Sequence, residues 1–157
     1  SLTSVMSTTG NRRLPKPRPE ALKALMGRPP AEATLEQVVP IVINVSRAIG
    51  SPAYPAPEAR LRERIERDFH RSFYPQGAAR QLAAIIDDGD RRTRLKRIGA
   101  PSLVIHGIDD PLVPVEGGRD TAANIRGAKL HEIAGMGHDL PLELVEEISD
   151  VIAAHAK

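Results

Sequence analysis

Cysteine is absent from the 157 residues, so no disulfide framework and no thiolate metal or redox site can be built. Tryptophan is absent too, and two Phe and two Tyr are the only aromatic rings besides histidine. The core must therefore be aliphatic, and the stacking platforms that hold single-stranded nucleic acid are missing. A surplus of charge is also lacking: 22 Lys and Arg stand against 20 Asp and Glu, a formal net charge of +2. The sequence pI near 9.2 lies on the flat part of a balanced titration curve and does not call for an anionic partner. No run of about 18 apolar residues is available to cross a bilayer, and the first residues carry no signal-peptide pattern. The expectation is a cytoplasmic chain that engages neither nucleic acid nor membrane. What is present is 41% hydrophobic residues over 157 positions, enough for a packed core.

Three regions follow from composition. Residues 1–10 place Leu2, Ser4 and Met6 at alternating positions with β-branched neighbours and end in a hydroxyl-rich stretch at Gly10, the pattern of a short strand opening into a loop. Residues 11–97 read as a helical insert. Its first part holds Pro15, Pro17, Pro19, Pro29 and Pro30 among basic residues, which implies extended backbone with one short helix near 20–26. Thr34-Leu-Glu-Gln37 is a capping-box pattern opening a helix over 35–49 that is apolar nearly all round, with a kink expected at Pro40. Such a helix must be covered on several sides or border an apolar cavity. Leu61, Ile65, Phe69 and Phe73 make one stripe of a helix over 58–74. Ala78, Leu82, Ile85 and Ile86 share one side of another over 77–88, closed by Gly89. Asp87-Asp-Gly-Asp90 lacks the ligand spacing of a calcium loop and reads as a helix end. No metal site and no cofactor is implied.

Residues 98–157 change in character. Leu103-Val-Ile105 is apolar on both faces, as in a parallel strand covered by helices. A helix over 116–126, a more polar strand over 129–133 and a final helix after Pro141 complete a strand–helix–strand–helix unit. Functional residues of an open parallel sheet sit in loops just past the carboxyl ends of its strands. Two marked loops occupy those places: Gly107-Ile-Asp-Asp110-Pro and Gly135-Met-Gly-His138. A carboxylate beside a histidine accepts the imidazole Nδ1–H and leaves Nε2 free to act as a base. Taken singly, Asp-Pro after a strand is an ordinary turn, and Gly-His before a helix is ordinary capping.

Together, in this order and at this spacing, the two blocks resemble the acid and histidine blocks of the α/β-hydrolase superfamily. Residues 98–157 carry the match. Residues 1–10 followed by Leu14-Pro are similar to the strand and loop before the lid in aclacinomycin methylesterase-type members, and 11–97 match a lid in position and helical character. The resemblance implies an α/β fold: about three parallel strands with flanking helices, from the C-terminal part of a hydrolase, plus a helical lid. Its regions would be a core strand and loop (1–10), a lid (11–97) and a core carrying the acid and base (98–157). It implies Asp110 as triad acid, with Asp109 the lesser candidate, and His138 as general base. Met6, Val39 and Met136 are the expected substrate-binding residues, contacting a small apolar ester-like substrate. No serine here lies in a Gly-x-Ser-x-Gly elbow, and no oxyanion-hole segment is found. The expectation is thus a hydrolase part that is inactive alone. The alternatives are a non-catalytic module that self-associates or completes a partner chain through the open edge of strand 1–6, and a haloalkane dehalogenase or peptidase of the same fold.

Overall fold

The computed structural model describes residues 1–157. A three-stranded, wholly parallel sheet forms its base, in the order β1 (Leu2–Val5), β2 (Ser102–Gly107), β3 (Lys129–Ile133). Thr3 stands opposite Leu103, and Ile105 opposite His131. All six residues of the central strand are buried, as its unbroken apolar run requires. β3 is more exposed at Lys129 and Leu130, as expected of an edge. Helix α6 (Glu116–Asn124) joins β2 to β3. A 3-10 turn over Leu142–Leu144 precedes α7 (Val145–Ala156), whose Ile148 packs with Leu103, Ile105, Ile133, Met136 and Leu144 into one core cluster.

Between β1 and β2 lie α1 (Pro19–Met26), α2 (Leu35–Ile49), α3 (Glu58–Arg71), α4 (Gln76–Asp88) and the short α5 (Arg92–Leu95). Gln37 Oε1 accepts the Thr34 N–H at 3.0 Å, so the capping box reaches back as the sequence implies. α2 runs unbroken through Pro40. Pro40 and Glu36, whose carbonyl loses its donor, both face solvent, where water replaces the missing bond. Val38, Val39, Ile43, Leu61 and Ile65 form a second core cluster between α2 and α3. α4 departs from expectation: none of its residues is buried, and Ile85 and Ile86 are 54% and 67% exposed. On its apolar side Leu82 is half-buried, and Ile85 and Ile86 are left to solvent.

The insert leaves and rejoins the sheet at one place. Thr9 O accepts the Arg91 N–H at 2.8 Å, and Thr8 O accepts Arg91 Nη2 at 2.5 Å. Gly10 (φ +76) is pressed against Gly89 so closely that a Cβ on Gly10 would lie 2.0 Å from the Gly89 carbonyl oxygen. The acidic run beside it is engaged by arginines: Asp88 with Arg91 and Arg94, Asp90 with Arg92. No helix is long and apolar enough to cross a membrane.

Candidate active site

Asp110 lies in the loop leaving β2. Its side chain is fully buried, and its two oxygens do different work. Oδ1 accepts the N–H groups of Leu112 and Val113, each at 2.8 Å, closing the turn that Pro111 stiffens. Oδ2 lies 2.7 Å from His138 Nδ1. An ionised carboxylate can only accept, so Nδ1 carries the hydrogen and Nε2 presents a lone pair. Nε2 makes no hydrogen bond of its own, and the ring is 26% exposed where His138 lines a cavity of about 980 Å³. The sequence separation of 28 residues is thus spanned by two loops at the same end of neighbouring parallel strands.

Asp109, the lesser candidate for the acid, also borders the cavity. Its Oδ2 accepts the Gly135 N–H at 2.8 Å, so it braces the histidine loop and does not touch the imidazole. Met6 lines the cavity and is the one non-glycine residue with positive φ, +47°. That conformation is strained for a side chain of its size and turns the chain sharply at the end of β1. The other two expected substrate contacts are placed elsewhere. Val39 is buried in the α2–α3 cluster, about two turns of α2 before Ser46–Ile49, the end of the helix that borders the cavity. Met136 is fully buried in the sheet core, because Gly135 at φ +74 sends the following side chain down against Ile105 and Ile133.

Three residues absent from the sequence expectation join the site. His106 is fully buried one residue before Gly107. Its Nε2 is 2.7 Å from the Val113 carbonyl and 3.6 Å from Asp110 Oδ2; a carbonyl only accepts, so Nε2 carries the hydrogen. Its Nδ1 has no partner and faces Gly118, where a Cβ would come within 2.5 Å. A histidine inside the apolar run Leu103-Val-Ile-His106 was the available signal for it. Ser51 and Asp139 were not signalled. The Ser51 hydroxyl donates to Asp139 Oδ1 at 2.5 Å and accepts the Gly137 N–H at 2.9 Å. The cavity wall mixes Met6, Ile49, Leu61 and Leu140 with Arg18, Arg64 and Asp139.

A parallel sheet with flanking helices, a carboxylate after one strand and a histidine after the next is the arrangement of the α/β hydrolases. The chain belongs to the α/β-hydrolase superfamily. Rhodomycin D methylesterase DnrP of Streptomyces peucetius is 39% identical over 67 residues, 43% of this chain and 22% of that protein. A 2-hydroxy-6-oxononadienedioate/2-hydroxy-6-oxononatrienedioate hydrolase of Klebsiella pneumoniae is 27% identical over 147 residues, 92% of this chain and 49% of that protein. Among solved structures, the enol-lactonase from Burkholderia xenovorans superposes with a TM-score of 0.61 at 25% identity, over 88% of this chain and 48% of that one. The chain spans half or less of the length of these relatives. No family model matches it.

Proposed function

We propose that this chain supplies the acid and the base of a serine-type α/β hydrolase that cleaves carboxylic esters or related acyl compounds. The observation that carries this reading is the 2.7 Å bond from His138 Nδ1 to the buried Asp110 carboxylate, on a ring that borders a cavity of about 980 Å³. In the reaction, a serine hydroxyl attacks the acyl carbon while His138 Nε2 takes its proton. Asp110 holds the tautomer and stabilises the imidazolium. The collapsing tetrahedral intermediate expels the alcohol, which receives the proton back from His138, and water then releases the acid by the same steps in turn. A methylesterase and an enol-lactonase among the similar proteins favour oxygen esters as the substrate class. Met6, Ile49, Leu61 and Leu140 suit a small apolar acyl group.

The serine is not in this chain. No hydroxyl bonds to His138, and the two serines at the cavity are engaged elsewhere: Ser46 with Arg64, Ser51 with Asp139. A base and its acid without nucleophile or oxyanion donors are expected to give negligible turnover. The chain, 157 residues long, would act as the helical lid and the acid–base half of a larger catalytic unit. The unpaired outer edge of β1 favours the companion reading, in which a further strand, from a longer chain or a partner, adds there.

Two measurements test this. A fluorophosphonate probe should leave the isolated chain unlabelled; durable labelling of one of its serines would place the nucleophile inside it. Reading the coding sequence upstream of Ser1 and expressing it with this chain should reveal an in-frame Gly-x-Ser-x-Gly elbow and hydrolysis of p-nitrophenyl acetate. Ester turnover unaffected by His138→Ala would remove His138 as the base.

A further inference from the structure

We infer that Ser51 and Asp139 are positioning residues for His138, so that the end of helix α2, and not the sheet alone, sets where the imidazole stands. The inference rests on the reading of His138 as the base, and it adds residues to which neither the sequence nor the resemblance gives a role. His138 is held at two places. Its ring is held by Asp110, from the loop after β2. Its backbone is held by the insert: the His138 N–H donates to the carbonyl of Ile49 at 2.7 Å. Ile49 is the last residue of α2, and its carbonyl is one of those a helix end leaves without an intrahelical donor.

The contacts on either side make this seat specific. Gly137 N–H donates to Ser51 Oγ at 2.9 Å, and the same hydroxyl donates to Asp139 Oδ1 at 2.5 Å. One side chain from the insert thus grips the residue before His138 by its backbone and the residue after it by its carboxylate. Ser51 is 3% exposed, so water cannot replace it at low cost. The Ala53 N–H donates to Gly135 O at 3.2 Å. A Cβ on Gly137 would stand 2.4 Å from the Gly50 carbonyl oxygen, so the two backbones meet at a distance only glycine allows.

Asp110 is fixed by its own turn and cannot follow a displaced histidine. Removing Ser51 leaves the Gly137 N–H and the Asp139 carboxylate short of a partner, and the histidine loop relaxes away from α2. A shift approaching 1 Å would lengthen the 2.7 Å Nδ1···Oδ2 contact beyond a good hydrogen bond. Misplacement on that scale lowers a reaction rate by about 10²-fold.

The test reads geometry, so it does not depend on turnover. In a histidine-labelled sample of this chain, the His138 Nδ1–H should give a downfield proton resonance in slow exchange with water. Ser51→Ala should abolish that resonance or speed its exchange at least 10-fold, while circular dichroism stays native. Asp139→Ala should do the same. Asp139→Asn, which keeps an oxygen to accept the Ser51 hydroxyl, should restore it. A wild-type-like resonance and exchange rate in both Ser51→Ala and Asp139→Ala overturns the inference, whatever the outcome for hydrolysis. If Ser51→Ala proves unfolded, Asp139→Ala against Asp139→Asn decides alone. In a complete enzyme assembled around this chain, Ser51→Ala should cut kcat at least 10-fold with KM changed less than 3-fold. Full kcat together with a wild-type resonance counts against the inference alone, whereas activity independent of His138 counts against the reading of the base.

Discussion

Asp110 binds its own loop with one carboxylate oxygen and His138 with the other, at 2.8 Å and 2.7 Å. The two duties separate on mutation. In Asp110→Asn the amide oxygen can keep the bonds to Leu112 and Val113, while the amide NH₂ meets the His138 Nδ1–H and forces the other tautomer. The fold should survive with the Nδ1–H resonance lost, and turnover in the complete enzyme should fall by about 10⁴-fold. Asp110→Ala loses the turn as well and should destabilise the chain by about 1–3 kcal/mol. Urea denaturation with circular dichroism distinguishes the two.

Gly137→Ala should cost about 1–3 kcal/mol, because its Cβ would run into the Gly50 backbone. Gly99→Ala is the control. Nothing lies within 4 Å of a Cβ there, so its effect should stay within about 0.5 kcal/mol. Equal urea midpoints for the two variants would contradict the close seating of the histidine loop.

Ile86→Ser on α4 should change stability by no more than about 0.5 kcal/mol, since Ile86 is 67% exposed. Ile43→Ala in the α2–α3 cluster, where Ile43 is 6% exposed, should cost about 2–5 kcal/mol. A large cost at Ile86 in the isolated chain would mean that α4 buries Ile86 against another part of the chain.

The Asp90 carboxyl is held down to about 2, from an ordinary 3.8, first by the side-chain hydrogen bond from Arg92 and then by that residue's backbone N–H. Because the folded value lies below the unfolded one, the pair stabilises the fold fully above pH 3.8 and less as pH falls through about 2. Both groups are exposed, so the contribution is small. Carbon-detected NMR titration of Asp90 should find its midpoint near 2, and Arg92→Gln should move it upward.

Leu2 and Met6 turn their N–H groups toward β2, bonding Pro101 O and Ile105 O. Thr3 therefore points its N–H to the outer edge of the sheet. If that edge accepts another strand, size-exclusion chromatography should show association of the chain at high concentration. Thr3→Pro, which removes an outward donor without touching the β1–β2 ladder, should abolish it. Association unchanged by Thr3→Pro would move the contact away from β1.

The features legible in the sequence are those that local chemistry announces. The apolar run Leu103–Ile105 announced a buried strand, the Thr34–Gln37 pattern a helix start, and the Gly–Pro and Gly–His surroundings of Asp110 and His138 announced presentation loops. Side-chain direction was harder. Met136 lies between two glycines in the histidine loop, but the positive φ of Gly135 points it into the core. Val39 belongs to a helix with apolar residues on nearly every side, and its periodicity does not say which of its turns reaches the cavity. The Ser51–Asp139 bond joins residues 88 apart, and neither residue sits in a pattern that marks it. Such a partnership exists only once the insert has folded back on the sheet.

Gly10 and Gly89 lie in contact where the helical insert leaves and returns. Geometrically the insert is a cassette: it could be cut at that pair and exchanged for another without stretching the sheet. Its seat under His138 means the exchange would not be free. A graft of helices from a relative would also replace the residues that hold the histidine. Substrate range and the placement of the base would then be inherited together, and diversification of this chain by cassette exchange would have to carry the 49–53 segment and the 135–139 loop as one unit.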